Sequence, residues 1–201
     1  VGGAADRGTE RHEILEKIME LGTKDIEGMG KILTYVGALR KTRRFNVLVE
    51  ESIKTTWLAQ PNRTTVDLCL YTRDEMHILD YKWGAIPVEV EDNEQLLFYG
   101  ISLAGLAPKA KGITFHILQP YADNYSDWFA DTTVLQAFKD KALAAEQRII
   151  AGDHTFGPSD HGCMFCPANP QSRGAKAGPY CPAMLQIHYP KVVDEDAILS
   201  L

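Results

Sequence analysis

Apolar and polar positions along this chain follow two rhythms. RRFNVLVEESI (43–53), VDLCLY (66–71), HILDYKW (77–83) and GITFHILQP (112–120) are short, β-rich apolar runs, and each predicts a strand. TRDE (72–75) lies between the second and third runs and reads as a tight turn. NEQLLFYGISLAGL (93–106) recurs with helical spacing instead. So do RGTERHEILEKI (7–18), where Thr9 is a good N-cap, and TTVLQAFKDKALAAEQRIIAG (132–152), which ends on a glycine stop. The predicted order is helix, three strands, helix, strand, helix.

Chemistry concentrates on the hairpin. Side chains alternate along a strand, so Asp80 and Lys82 share a face. A turn over residues 72–75 pairs Tyr71 with Met76, and that register sets Asp67 opposite Asp80, roughly 5 Å apart at Cβ. Two carboxylates that close repel unless a cation lies between them. Lys82 then stands beside that cation, where an ammonium can hold a phosphate or orient a water. On the helix that follows, Gln95 and Tyr99 are four apart and share one face. Near the N-terminus Gly8 precedes His12 by four residues, and His12 and Glu16 share another helix face. Glu50 or Glu51 could add a carboxylate from the first strand; parity admits only one of them.

Charge and composition narrow the reading. The chain has 201 residues and an ordinary globular composition, which suits one compact domain with a sizeable core. No apolar run approaches the roughly 20 residues of a membrane helix, so no membrane association is expected. A net charge of −6 argues mildly against a polyanionic partner. Basic groups are nevertheless grouped locally: Lys41, Arg43 and Arg44 before the first strand, Arg63 and Arg73 around the hairpin, Lys109 and Lys111 before the last strand. Nonspecific affinity for nucleic acid should be limited, or should draw on homo-oligomers or partner proteins.

The C-terminal part is organised differently. It is rich in Pro and Gly and carries Cys163, Cys166 and Cys181. A CxxC knuckle followed by another cysteine is a metal-binding pattern. A disulfide fits less well, because nothing indicates secretion. Cys69, on the hairpin, reads as a small core residue. The expected organisation is a core of residues 1–152 and a Cys-rich metal-binding tail, residues 153–201, packed on it.

The arrangement Asp67…Asp80-Tyr81-Lys82 resembles the PD-(D/E)XK nuclease signature, with Val66 where the written signature has proline. Gln95 and Tyr99 resemble the QxxxY motif of the RecB-like branch, and Gly8…His12 its GxxxH-type helix. The resemblance covers roughly residues 7–120. It implies an α/β fold: a restriction-endonuclease-like α-β-β-β-α-β core whose mixed central sheet is flanked by helices, followed by the Cys-rich segment. It also implies a metal-dependent DNA exonuclease, with a structure-specific or restriction-type endonuclease and a non-catalytic binding module on the same fold as alternatives.

On that resemblance Asp67, Asp80, His12 and the Tyr81 carbonyl bind Mg²⁺ or Mn²⁺. Hard oxygen ligands favour these ions, and a histidine ligand suits manganese. Lys82 serves catalysis, Gln95 and Tyr99 position the substrate strand or the lysine, and Glu16 supports from behind. Cys163, Cys166 and Cys181 resemble in order, though not in spacing, the last three ligands of a RecB-like [4Fe-4S] cluster. The alternative is Zn²⁺ with His161 or His154 as fourth ligand. The opening Ala4-Ala5-Asp6-Arg7-Gly8-Thr9, the hairpin and the CxFCPA element together resemble a phage and prophage nuclease family. That context implies DNA as substrate, a phage single-strand annealing or replication protein as partner, and the cytoplasm of a bacterial host cell.

Overall fold

The computed structural model describes residues 30–60, 62–153, 155–164, 166–169, 171–172 and 180–188. The predicted helix over 7–18, with Gly8, Thr9, His12 and Glu16, lies outside the described residues, as does His154. The chain divides into two compact units, residues 1–148 and 149–201.

The first unit is built on a five-stranded mixed sheet. Its elements in chain order are α1 (Gly30–Thr42), β1 (Asn46–Thr55), β2 (Asn62–Tyr71), β3 (Met76–Tyr81), α2 (Glu94–Leu103), β4 (Gly112–Gln119), β5 (Asn124–Asp131) and α3 (Thr132–Ile150). The spatial order of strands equals the sequence order. The pairs β1–β2, β2–β3 and β4–β5 are antiparallel, and β3–β4 is parallel. Parallel neighbours need a crossover, and α2 provides it. From β1 to β4 the order β-β-β-α-β is thus the one that the hydrophobic pattern and the resemblance imply; the helix expected ahead of it, over 7–18, lies outside the described residues.

Alternation along the strands sorts the core into two layers. Cys69, Met76, Ile78, Ile113, Phe115 and Ile117 pack with Leu96, Leu97, Tyr99 and Leu103 of α2, and Val134, Leu135 and Phe138 of α3 lie against them. Leu68, Leu70, Leu79, Tyr81 and Leu118 pack on the other face with Ile32 and Val36 of α1. Covered on both sides, β3 is buried at all six positions, which is why MHILDY reads as a near-continuous apolar run. Cys69 is a core residue, and burial pushes its thiol up to about 12.

Two elements were not expected from the sequence. α1 has two glycines and β-branched residues that weaken helix propensity, and the docking of Ile32 and Val36, one turn apart, holds it on the sheet. β5 is an edge strand of mostly half-exposed side chains, so its apolar alternation is faint. It lies close against β4. A Cβ on Gly112 would come within 2.3 Å of the Ala130 carbonyl oxygen, so only glycine fits there.

A polar chain crosses the α1 face. Tyr35 OH meets His116 Nδ1 at 2.8 Å, His116 Nε2 meets His77 Nδ1 at 3.0 Å, and His77 Nε2 meets Glu75 Oε1 at 3.0 Å. Arg43 Nη1 donates to Glu75 Oε2 at 2.7 Å. With His77 neutral, the carboxylate end sets every proton in this chain. An ionised Glu75 only accepts, so His77 Nε2 carries the hydrogen and Nδ1 accepts. His116 Nε2 therefore donates, its Nδ1 accepts, and Tyr35 donates. The hydrogen bond from His77 first, then Arg43, holds Glu75 below the usual carboxylate range. Burial, then the neighbouring His77, drives His116 down to about 3.

Candidate active site

The hairpin register places the carboxylates. Thr72 N–H donates to the Glu75 carbonyl at 2.8 Å, closing the turn. The ladder then runs from Tyr71↔Met76 to Leu68↔Leu79, and Asp67 and Asp80 stand one step beyond it. There the Asp67 carboxylate takes over from backbone pairing and accepts the Tyr81 N–H at 2.7 Å. Asp67 is 8% exposed and Asp80 2%. Two anions this buried are costly unless held by opposite charge and hydrogen bonds.

Lys82 and α2 supply that hold for Asp80. Lys82 Nζ lies 2.9 Å from Asp80 Oδ2 and donates to Gln95 Oε1, also at 2.9 Å. Gln95 Nε2 donates to Asp80 Oδ1 at 3.2 Å and to the Tyr99 hydroxyl at 2.6 Å. The amide orientation is fixed by chemistry, because an ammonium only donates and a carboxylate only accepts. Asn93 sets the start of α2: its side chain caps the helix by accepting the Leu96 N–H at 3.2 Å. Gln95 therefore falls in the first turn, facing the end of β3, with Tyr99 one turn behind it. An asparagine just before an apolar-periodic run is the signal that could have located this cap from the sequence.

The choice between Glu50 and Glu51 depends on a backbone irregularity. Glu50 has φ 45°, a left-handed conformation that costs a non-glycine residue about 1–3 kcal/mol. Pairing passes from Val49↔Leu68 to Glu51↔Val66 and skips Glu50 and Asp67, which face each other. Strand parity reverses across the step. Before it Leu48 packs on the α2 side; after it Ile53 does. Glu51 is exposed and lines a groove with Ser102 and Leu103 at the far end of α2. Glu50 is the glutamate whose charge reaches Tyr81. Burial first, then Asp67, Glu50 and Asp80, push the Tyr81 phenol well above its usual value of 10. The charges of Glu50, Asp67 and Asp80 thus all act on the buried Tyr81 phenol.

Asp67 and Asp80 offer hard oxygen atoms of the kind that Mg²⁺ and Mn²⁺ take. Magnesium is commonly bound through one or two carboxylates, with water and substrate phosphate completing its shell. The donor chemistry fits such an ion. Among the described residues no group of three or more His, Cys, Asp or Glu side chains is arranged to hold a metal. An ion held here would need donors beyond these two carboxylates.

In the second unit, α4 (Asp160–Cys163) and α5 (Pro182–His188) flank the cysteines. Cys166 N–H donates to the Cys163 carbonyl at 3.3 Å and Cys181 N–H to the Ala168 carbonyl at 2.7 Å; Asn169 Nδ2 donates to the Cys163 carbonyl at 2.9 Å. These bonds tie the backbones of Cys163, Cys166 and Cys181 into one small motif. All three thiols are free and half-buried.

Among the described residues no helix is long and apolar enough to cross a membrane. A family model described as "Protein of unknown function (DUF2800)" matches residues 28–200. No curated protein matches the chain in sequence. Among solved structures, the chain is similar to "Putative exonuclease" from Eubacterium rectale, at 10% identity and TM-score 0.45, covering 96% of this chain and 81% of that one. It is also similar to the crystal structure of SSO0001, at 11% identity and TM-score 0.39, covering 73% of this chain and 69% of that one. At these scores the chemistry of the site rests on its own geometry.

Proposed function

The chain belongs to that family, and we propose that it is a divalent-metal-dependent deoxyribonuclease of the RecB-like PD-(D/E)XK type, an exonuclease acting on DNA ends. One observation carries the reading. Asp80, Lys82 and Gln95 form a closed cluster of one ion pair and two hydrogen bonds at the end of a hairpin whose other strand presents Asp67. A buried carboxylate pair with one fixed ammonium suits an anionic substrate that approaches with a cation.

Asp67 and Asp80 would hold Mg²⁺ or Mn²⁺, with the Tyr81 carbonyl and His12 as further donors. Such an ion supplies Lewis acidity at the phosphate and lowers the pKa of a bound water. Lys82 has three ammonium protons. One is donated to Gln95 while the ion pair with Asp80 holds the ammonium in place, so a further proton would reach a phosphate oxygen or the attacking water, where it stabilises developing charge. Gln95 is a positioning residue that keeps Lys82 and Asp80 in register, and Tyr99 anchors Gln95 from behind. Glu50 adds negative potential beside the carboxylates.

A role in phage recombination or replication, alongside a single-strand annealing or replication protein, belongs to the same proposal, as does homo-oligomerisation. So does a [4Fe-4S] or Zn²⁺ centre at Cys163, Cys166 and Cys181. The reading is tested by digesting end-labelled linear and closed circular DNA with Mg²⁺ or Mn²⁺. Release of label from linear DNA with circles left intact is expected. Nicked or linearised circles would mean an endonuclease, and no cleavage of either would reject the reading.

A further inference from the structure

The end of the sheet remote from the carboxylates gathers cations that the sequence scatters. Arg40 and Lys41 close α1, Arg43 and Arg44 lead into β1, Arg73 stands in the β2–β3 turn, and Lys109 and Lys111 precede β4. Topology joins these segments. Asn46 at the start of β1 faces Tyr71 at the end of β2, β3 starts beside it, and Thr114 of β4 lies next to His77. Contacts tighten the cluster. Arg43 Nη1 reaches Asp74 at 3.2 Å and Glu75 at 2.7 Å, and Lys109 N–H donates to the Arg73 carbonyl at 2.9 Å.

All seven cations are exposed. Among the described residues only Arg43 of the seven makes a salt bridge. Asp74 and Glu75 are the only acids in these three segments, and Asp131 of β5, paired with Gly112, is a further acid at this end; the whole chain carries 27 acidic residues against 21 basic ones. Among the described residues this end is therefore cationic, on a chain that is acidic in sum.

We propose that this end is a binding surface for the phosphate backbone of DNA, engaging the duplex behind the terminus that reaches Asp67, Asp80 and Lys82. The inference rests on the nuclease reading and deepens it. Arg40, Arg44 and Arg73 bring planar forks that match phosphate oxygens. The cations of this end spread from β1 to β4, three strand spacings or about 14 Å, which spans roughly four phosphates of one duplex strand. From Met76 to Asp80, β3 runs about 13 Å, so the surface lies too far from the carboxylates to touch the reacting phosphate. It governs affinity and leaves the chemical step alone. Arg43 has a different task, since its fork holds Asp74 and Glu75.

The test uses the full chain with Arg40, Lys41, Arg44, Arg73, Lys109 and Lys111 all changed to Gln, and a milder Lys109→Gln/Lys111→Gln pair. Anisotropy of a labelled duplex in EDTA, across salt concentrations, reads binding. Hydrolysis of bis(p-nitrophenyl) phosphate with Mn²⁺ reads chemistry. At low salt the six-fold variant should lose at least about 10²-fold in affinity, and its log K against log salt slope should shrink by about 3–4, or 0.9 per phosphate. The pair should shrink it by about 1–2. Phosphodiester hydrolysis should not change in either. Affinity and slope equal to wild type in both variants would overturn the proposal. So would a wild type that does not bind DNA, or one from which poly-glutamate displaces DNA as well as unlabelled duplex does, which would point to an acidic protein partner. Patch-dependent binding by a wild type that hydrolyses nothing would uphold the surface and reject the nuclease reading.

Discussion

The buried histidine chain makes stability depend on pH in a calculable way. His116 is 2% exposed and its folded-state pKa is depressed to about 3 from 6.5. A depressed histidine is neutral in the fold, so below 6.5 the unfolded chain binds the proton that the fold refuses. The contribution of His116 is complete above that value and is lost as pH falls from 6.5 towards 3. Between pH 7 and pH 5 the loss is about 2 kcal/mol. The control is His116→Gln. Its amide nitrogen can still donate to His77 Nδ1 and its oxygen can still accept from Tyr35, so the direction of the chain is kept and only the titration is removed. Urea unfolding of both proteins at pH 7 and pH 5 gives the comparison, because every other titrating group is common to both. Wild type should lose about 2 kcal/mol more than the variant over that interval. Parallel losses would refute the assigned proton pattern, since that pattern requires a neutral His116 at both pH values.

Lys82→Ala should lower DNA cleavage by about 10²–10³ in single-turnover assays while Mn²⁺ still binds. Near-normal rates would remove Lys82 from the site. Asp67→Asn or Asp80→Asn should weaken Mn²⁺ in calorimetric titration and abolish cleavage, and unchanged affinity in both would mean that the carboxylates do not share an ion. Glu50→Gly should relieve the left-handed strain and raise the unfolding free energy by up to about 1–3 kcal/mol while reducing cleavage. A variant that is both more stable and fully active would show that Glu50 has no part in the reaction. Full-length protein purified anaerobically should contain iron, or about one equivalent of zinc if the tail is a four-ligand structural site. Elemental analysis finding neither would leave Cys163, Cys166 and Cys181 as ordinary thiols.

Much of the sheet could be read from the chain because its strands are either buried on both faces or joined by a short turn. TRDE fixes Tyr71 against Met76 by local chemistry, and period-2 alternation does the rest as far as Leu68 and Leu79. The shared face of Gln95 and Tyr99 was legible in the same way, whereas the contacts of Gln95 with Lys82 and Asp80 depend on where α2 docks beside β3. β5 and α1 escaped because neither has a strong local signal; each is held by what it packs against.

The sequence by itself determined the elements whose information is local: the hairpin, its register, the shared face of Asp80 and Lys82, and the helical spacing of Gln95 and Tyr99. Tertiary structure decided what depends on residues far apart in the chain. Glu50 rather than Glu51 sits near Tyr81 because a left-handed residue inverts the strand opposite Asp67, and no alternation rule anticipates an inversion. His77 and His116, 39 positions apart, meet because β3 and β4 run parallel, and Tyr35 joins them because α1 docks on that face. Three modest basic clusters become one cationic end for the same reason. Strand order converts sequence separation into proximity, and charge acts through space.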